Sequence, residues 1–262
     1  MKNSFLHIDR RAFLLGGTAL ISGAAKLLSA APTCTLVPEQ EEGPYYVDFK
    51  KARRDVTEGR PGIPLQLRIA LLDAVRCEPL QNAAVDIWHC DAVGVYSGFT
   101  ANGGGEGGGR GFGGAPRGRG GRGQGPGDET RFLRGVQLTN KQGVAEFVTL
   151  YPGWYAGRTI HIHLKVHVGG TIAGEKLAGG HVSHTGQVFL PEDITEQIAK
   201  LDPYSSHSNV HRTLHSEDNV YRNQGGSKTM MSLERLQKGS NSGGFAAEIA
   251  LAVNPDAAPA VF

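Results

Sequence analysis

The stretch RTIHIHLKVHV, residues 158–168, alternates with a period of two. Ile160, Ile162, Leu164, Val166 and Val168 fall on one side of an extended chain, and His161, His163, Lys165 and His167 on the other. The apolar side has to close a core. The polar side has two readings. It is a strand face turned to water, or it is a pair of imidazoles at i and i+2, about 7 Å apart at the backbone and able to share one ion.

Other segments repeat the strand period. PLQLRIALLD (64–73) alternates Leu65, Leu67, Ile69 and Leu71 with polar or small neighbours, AAVDIWHC (83–90) follows a turn, and GGFAAEIALAVN (243–254) alternates near the end. FLRGVQLTN and GVAEFVTLY are separated by NKQG (140–143), which predicts a hairpin with a four-residue turn. Helix signals are few: PEDITEQIAKL (191–201) opens with Pro and acids and spaces Ile194, Ile198 and Leu201 helically, and SLERLQK (232–238) is a shorter candidate. The pattern predicts an all-β fold, a sandwich of two antiparallel sheets with a few short helices and long loops. A chain of 262 residues, 39% hydrophobic and 20% charged, suffices for one such domain.

Two regions depart from globular composition. DRRAFLLGGTALISGAAKLLSAA places Arg10 and Arg11 ahead of a Gly- and Ala-rich apolar run, which reads as a twin-arginine export signal over residues 1–31. The run is interrupted by Lys26 and is too short for a span of about 20 apolar residues, so no stable membrane span is expected after processing. Residues 32–262 are then the mature domain, located in the periplasm or outside the cell. The leader carries Lys2, Arg10, Arg11 and Lys26 against Asp9, so its removal turns a net charge of +2 into −1. That leaves a nucleic-acid partner without an electrostatic basis. The second region, residues 98–130, is Gly- and Arg-rich with almost no apolar side chains, and predicts a disordered insertion between two strands. Its arginines, Arg110, Arg117, Arg119 and Arg122, have only Phe112 near them as a stacking ring, which is poor support for RNA binding.

Three cysteines, Cys34, Cys77 and Cys90, predict one disulfide and one free thiol in an exported protein, with the pairing open. No CxxC spacing supports a cysteine metal cluster.

The histidine pair gains meaning from two tyrosines near strand ends, Tyr96 in AVGVYSGF and Tyr155 in LYPGWYAGRTIHIH. Taken singly, Tyr96 is a loop-rim residue and Tyr155 a packing aromatic beside Trp154. Together with the histidines they form a donor set. Imidazole alone suits Zn, Cu, Fe or Ni. A phenolate is a hard anionic donor, and ionising a phenol of pKa about 10 at neutral pH requires a strong Lewis acid beside it, which favours Fe(III).

The frames around these residues, PLQNAAVDIWHCDAVGVYSGF, FLRGVQLTNKQGVAEFVTLYPGWYAGRTIHIHLKVHV and HTGQVFL, closely resemble the intradiol ring-cleavage dioxygenases, in particular their exported single-chain members. The resemblance runs from PEQEEGPYYVD (38–48) to the last strand. It implies that Tyr96 is an iron ligand that stays bound. Tyr155 would be a second ligand that leaves when substrate arrives and helps accept a proton. His161 and His163 would complete the ligand set. Arg158 would lie close to substrate, where a guanidinium stabilises developing negative charge, and Gln187 would lie near the oxygen pocket.

The implied reaction opens a catechol ring with O2 between the two hydroxyl-bearing carbons, giving a muconate-type diacid, with Fe(III) as the cofactor and no organic cofactor. Family habit also implies a possible homodimer. Departures from the family pattern are Ile69 and Cys77 at positions often held by glycine, the insertion after Tyr96, and a long segment between His163 and Gln187. The alternatives from other classes are an exported β-sandwich binding module for aromatic or carbohydrate ligands, with the tyrosines, Trp88 and Trp154 as stacking rings and no iron, and a zinc site on His161 and His163 completed by His167, His181 or His184.

Overall fold

The computed structural model describes residues 34–99, 126–236 and 243–259. The segment read as an export signal and most of the Gly/Arg-rich insertion lie outside the described residues. Among the described residues nine strands form two sheets, so the all-β sandwich expectation holds. One sheet combines β1 (Pro64–Asp73), β2 (Glu78–Pro79), β5 (Val144–Leu150), β8 (Ser232–Arg235) and β9 (Phe245–Val253). The other orders β4 (Arg134–Leu138), β3 (Ala84–Trp88), β6 (His161–Ala173) and β7 (Lys176–Phe189). The first sheet is not wholly antiparallel: β1 and β9 run parallel, with Leu65 opposite Phe245 and Asp73 opposite Val253.

Alternation places the core between the sheets. Leu65, Leu67, Ile69 and Leu71 of β1, Phe147 of β5 and Val253 of β9 meet Val85 and Ile87 of β3, Ile162, Leu164 and Val166 of β6 and Val188 of β7, all buried in one cluster. Each fully buried aliphatic side chain contributes about 1.5–3 kcal/mol by leaving water.

The predicted hairpin at residues 140–143 is a turn between sheets instead. Asn140 Oδ1 accepts from the N–H groups of Gln142 (2.9 Å) and Val144 (3.0 Å), so the local turn signal was sound. Its flanking strands nevertheless part company, because β4 bonds to β3 while β5 bonds to β1. The Leu71 N–H donates to the Gly143 carbonyl at 2.8 Å, which extends the β1 ladder into the turn and draws β5 to the other sheet.

SLERLQK is also corrected. Residues 232–235 are strand β8 on β9, with Ser232 opposite Glu248, and the rest of that segment from residue 237 lies outside the described residues. β9 offers a ready ladder partner for its backbone, and that tertiary pairing overrides the weak local helix signal. The predicted helix at 191–201 is present as α1 (Glu192–Ile198). Unforeseen elements are the long β6–β7 hairpin, 3-10 turns at Tyr204–His207 and Gly226–Thr229, and helix α2 (Asn219–Asn223).

Cys34 pairs with Cys77, closing 43 residues of chain, and Cys90 is a buried free thiol. Asp73 secures the turn that carries Cys77, accepting from the N–H groups of Val75 (2.8 Å) and Arg76 (3.1 Å).

Candidate metal centre

The histidine face of β6 does not meet water. His161, His163 and His167 are each 3% exposed or less, so this strand is buried on both faces near its start. What covers it is a strap, residues 38–49, together with the loops that follow β3 and β5. Cross-strand register aligns one row over the whole sheet: Arg134, Trp88, His163 and Gln187 stand opposite one another on β4, β3, β6 and β7. The long segment between His163 and Gln187 is therefore no obstacle to their meeting, since it is the outer half of the β6–β7 hairpin and returns Gln187 to His163's side.

Tyr96 and Tyr155 reach this row from two loops knitted together through their backbones. In the loop after β3, Asp91 Oδ1 accepts from Val93 N–H (3.0 Å) and Val95 N–H (2.9 Å). Gly94 adopts φ +80°, and a Cβ there would lie 2.2 Å from the Trp154 carbonyl oxygen. Gly153 donates to the Asp91 carbonyl at 3.0 Å, and its own Cβ would lie 2.4 Å from the Ala92 oxygen. Glycines in DAVG and PGWY are thus what let the two tyrosine loops touch. His89 fixes the root of the first loop: one ring nitrogen bonds the Cys90 carbonyl and the other Thr149 Oγ1, both at 2.7 Å. Burial holds its pKa down to about 4, so it stays neutral.

The four side chains converge on one point. His161 Nε2 lies 3.0 Å from His163 Nε2, 3.3 Å from the Tyr155 hydroxyl and 3.5 Å from the Tyr96 hydroxyl. His161 Nδ1 donates to the Thr159 carbonyl at 2.5 Å, which leaves the Nε2 lone pair facing the cluster. Burial, then the cationic neighbour Arg158, pushes the pKa of His161 down, and burial with His161 alongside does the same for His163. Both imidazoles are neutral, the form that ligates metal. Burial raises both phenols, with Tyr155 adding to the rise at Tyr96, so their ionisation calls for a strong local cation. Two neutral imidazoles and two phenols with their donor atoms together fit a hard, highly charged ion.

An aromatic wall seals this point. Trp88 stacks on His163, and Tyr45 stacks on Tyr96 at 4.4 Å while meeting Tyr155 and Phe99 edge-on. Gly43 lies against the His163 ring, where a Cβ would stand 3.3 Å from Cε1. Arg134, 2% exposed, ties Tyr45's carbonyl (2.7 Å) to Ser97, donating to Ser97 Oγ (2.8 Å) and O (2.7 Å). Tyr96 is 1% exposed and Tyr155 9%, so Tyr155 stands nearer the entrance. The two ends of the insertion meet beside Tyr96, where Gly127 N–H donates to the Gly98 carbonyl at 2.6 Å.

Arg158 and Gln187 are also brought together. An Arg158 Nη2 donates to Gln187 Oε1, and Gln187 Nε2 donates to the Glu41 carbonyl at 2.9 Å. Gln40 Oε1 accepts from the Gln187 N–H at 2.6 Å, and Arg158 Nε donates to Asp218 Oδ2 at 2.9 Å. Gln40, Glu41 and Asp218 were invisible in sequence, because each lies far along the chain from the residue it holds. The only trace is Asp218 before Asn219, an N-cap pair. Among the described residues no three His, Cys, Asp or Glu side chains converge, so a zinc site with His167, His181 or His184 as third ligand finds no support.

Compared with solved structures, the chain is similar to an intradiol ring-cleavage dioxygenase from Tetranychus urticae, at 33% identity over 86% of this chain and 97% of that one, with a TM-score of 0.69. A second solved dioxygenase matches at 34% identity over the same shares, with a TM-score of 0.68. A catechol 1,2 dioxygenase from Acinetobacter radioresistens, at 14% identity over 83% of this chain and 62% of that one and a TM-score of 0.53, shares the fold. No protein-family model and no curated protein matches the chain.

Proposed function

The chain belongs to the intradiol ring-cleavage dioxygenase family of oxidoreductases, and from that premise we propose that it holds ferric iron through Tyr96, Tyr155, His161 and His163 and cleaves a catechol with O2. The observation that carries this reading is the convergence of the His163 imidazole nitrogen and two phenol oxygens within 3.5 Å of His161 Nε2. Bound there, the ion supplies the Lewis acidity that ionises phenols at neutral pH and the electron-accepting centre through which a catechol becomes reactive toward O2.

The remaining chemistry belongs to the chain's own side chains. Tyr155, the less buried of the two, would as a phenolate be the base placed to take a proton from an incoming catechol hydroxyl and become the neutral phenol, while Tyr96, sealed under Tyr45, keeps its place. Arg158, 14% exposed at its side chain, keeps a guanidinium fixed beside the tyrosines, where it favours negative charge on bound oxygen atoms. Gln187, held at its backbone and side chain by Gln40 and Glu41, directs its amide next to Arg158. Trp88, Tyr45 and Phe99 exclude water from the same volume. The deep burial of Tyr96 and Tyr155 disfavours a binding module, whose stacking rings must be open to ligand.

We extend the reading to location. The twin-arginine leader would carry the folded domain out of the cytosol, and the Cys34–Cys77 disulfide suits an oxidising compartment. The test is iron quantitation with a visible spectrum of the purified protein, before and after catechol is added without oxygen. A broad tyrosinate band that moves to longer wavelength on catechol addition is the expected result. A protein that stays colourless after ferric loading would refute the ligand set.

A further inference from the structure

Asp218 is fully buried and sits 60 residues from Arg158 in the chain, yet its carboxylate accepts three hydrogen bonds, two of them from Arg158 and Thr159 beside the candidate centre. Oδ2 accepts from Arg158 Nε at 2.9 Å and from the Thr159 N–H at 2.7 Å, and Oδ1 accepts from the Tyr221 N–H at 2.9 Å, capping α2. The peptide that Asp218 grips on its N–H side is continued by the Thr159 carbonyl, which accepts the Nδ1 proton of His161 at 2.5 Å. One carboxylate therefore holds both the arginine and the N–H of the residue whose carbonyl orients a histidine. A helix cap needs only the Tyr221 bond. The two further bonds are directed away from α2, toward the turn that leads into β6.

The geometry points to Asp218 as a positioning residue for the proposed ferric site, acting through Arg158 and through the Thr159 peptide on the ring orientation of His161. This rests on the dioxygenase reading for its catalytic consequence but not for its structural content. A histidine whose outer nitrogen is fixed by a hydrogen-bonded group keeps one tautomer and one ring angle, and loss of such support costs about 10–100-fold in activity or metal affinity. Arg158 has other partners, Gln187 Oε1 and, at 3.7 Å, Glu41 Oε1, but Asp218 is the buried carboxylate and the one that receives Nε. Sterically, Asn in place of Asp keeps an acceptor for the α2 cap and removes the charge that fixes the guanidinium.

The experiment uses the full chain with Asp218→Asn, and Asp73→Asn as a control for general loss of stability at another buried carboxylate that caps a turn. In iron-free protein, the imidazole resonances of His161 are followed by nitrogen-15 NMR. In iron-loaded protein, kcat and KM for catechol and the visible band are measured. Expected for Asp218→Asn are a displaced or fast-exchanging His161 Nδ1 proton, a shifted band, and kcat reduced about tenfold with a much smaller change in KM. Asp73→Asn should unfold more easily and leave all of these in place. A wild-type His161 resonance, band and kcat in Asp218→Asn would overturn the inference and leave Asp218 a helix cap. Should the wild-type protein load iron yet turn over no catechol, the dioxygenase reading fails, and the NMR comparison still decides the positioning role by itself.

Discussion

Trp88 lies flat against His163, ring centroids 4.8 Å apart and planes 6° from parallel. The pair faces across β3 and β6 in register, so the indole backs the imidazole directly across the two strands. Trp88 is 1% exposed, and its indole N–H has no acceptor among the described residues. Trp88→Ala should therefore cost about 3–5 kcal/mol, read as a lowered urea midpoint. Trp88→Phe keeps a stacked ring and removes the unsatisfied N–H, so it should cost clearly less. Equal losses in the two variants would show that stacking is not what holds His163.

The loop-to-loop contact makes a second expectation. Gly94→Ala places a methyl 2.2 Å from the Trp154 carbonyl oxygen at a positive φ, and Gly153→Ala places one 2.4 Å from the Ala92 oxygen. Either substitution must push the Tyr96 and Tyr155 loops apart, at a cost of about 1–3 kcal/mol. Thermal unfolding measures the cost. Iron retention after dialysis shows whether the tyrosines have separated. Retention equal to wild type, with the cost present, would mean the donor atoms tolerate that separation.

Tyr155→Phe and His161→Ala separate the roles in the proposed site. Each should fold with the far-ultraviolet β signature of wild type, because the sandwich core lies on the other face of β6. Tyr155→Phe removes the proton acceptor nearest the entrance and should lower turnover by about 10²–10⁴-fold. His161→Ala should bind iron weakly and lack the tyrosinate band. Colour and turnover retained in His161→Ala would refute its place in the ligand set.

Stability should fall in acid partly through Asp218. Burial alone would raise its carboxyl, but Arg158 and the N–H groups of Tyr221 and Thr159 outweigh burial and bring it below its ordinary value of 3.8. A folded-state pKa that is depressed gives stabilisation that is full above the unfolded value and lost as pH falls through the folded one. The midpoint of wild type should thus drop faster than that of Asp218→Asn below that ordinary value. Parallel curves for the two proteins would show that the charge on Asp218 does not stabilise the fold.

The disulfide yields a prediction for the opposite end of the domain. Cys34–Cys77 closes 43 residues, and a bridge of that reach is worth about 2–4 kcal/mol. Cys77→Ser should lower the thermal midpoint while leaving iron content unchanged, since the bridge ties Cys34 to the turn after β1 and the candidate centre is built from other elements. Cys90, buried and with its thiol pKa pushed up by burial, should react with thiol reagents only after unfolding.

What the sequence by itself determined was local. The period of two fixed which residues of β1, β6 and β9 face the core, and the tyrosine and histidine frames named four side chains that the structure does bring to one point. Cysteine arithmetic gave one bridge and one thiol, though not the partners. Its errors were errors of partnership. NKQG is a turn as its residues require, but which sheet receives each flanking strand depends on β1 and β3, far away in the chain. Residues 232–235 are a strand because β9 is there to pair with them.

The second face of β6 was ambiguous for the same reason. Alternation shows that the histidines point away from the core, and only the strap at 38–49 and the two tyrosine loops decide that this side is dry. Gln40, Glu41 and Asp218 complete the surroundings of Arg158 and Gln187 through contacts that span roughly 60 to 147 residues of chain, as their hydrogen bonds record. A pattern along the chain reports which way a side chain points. What waits for it on that side is set by the packing of segments that share no local signal.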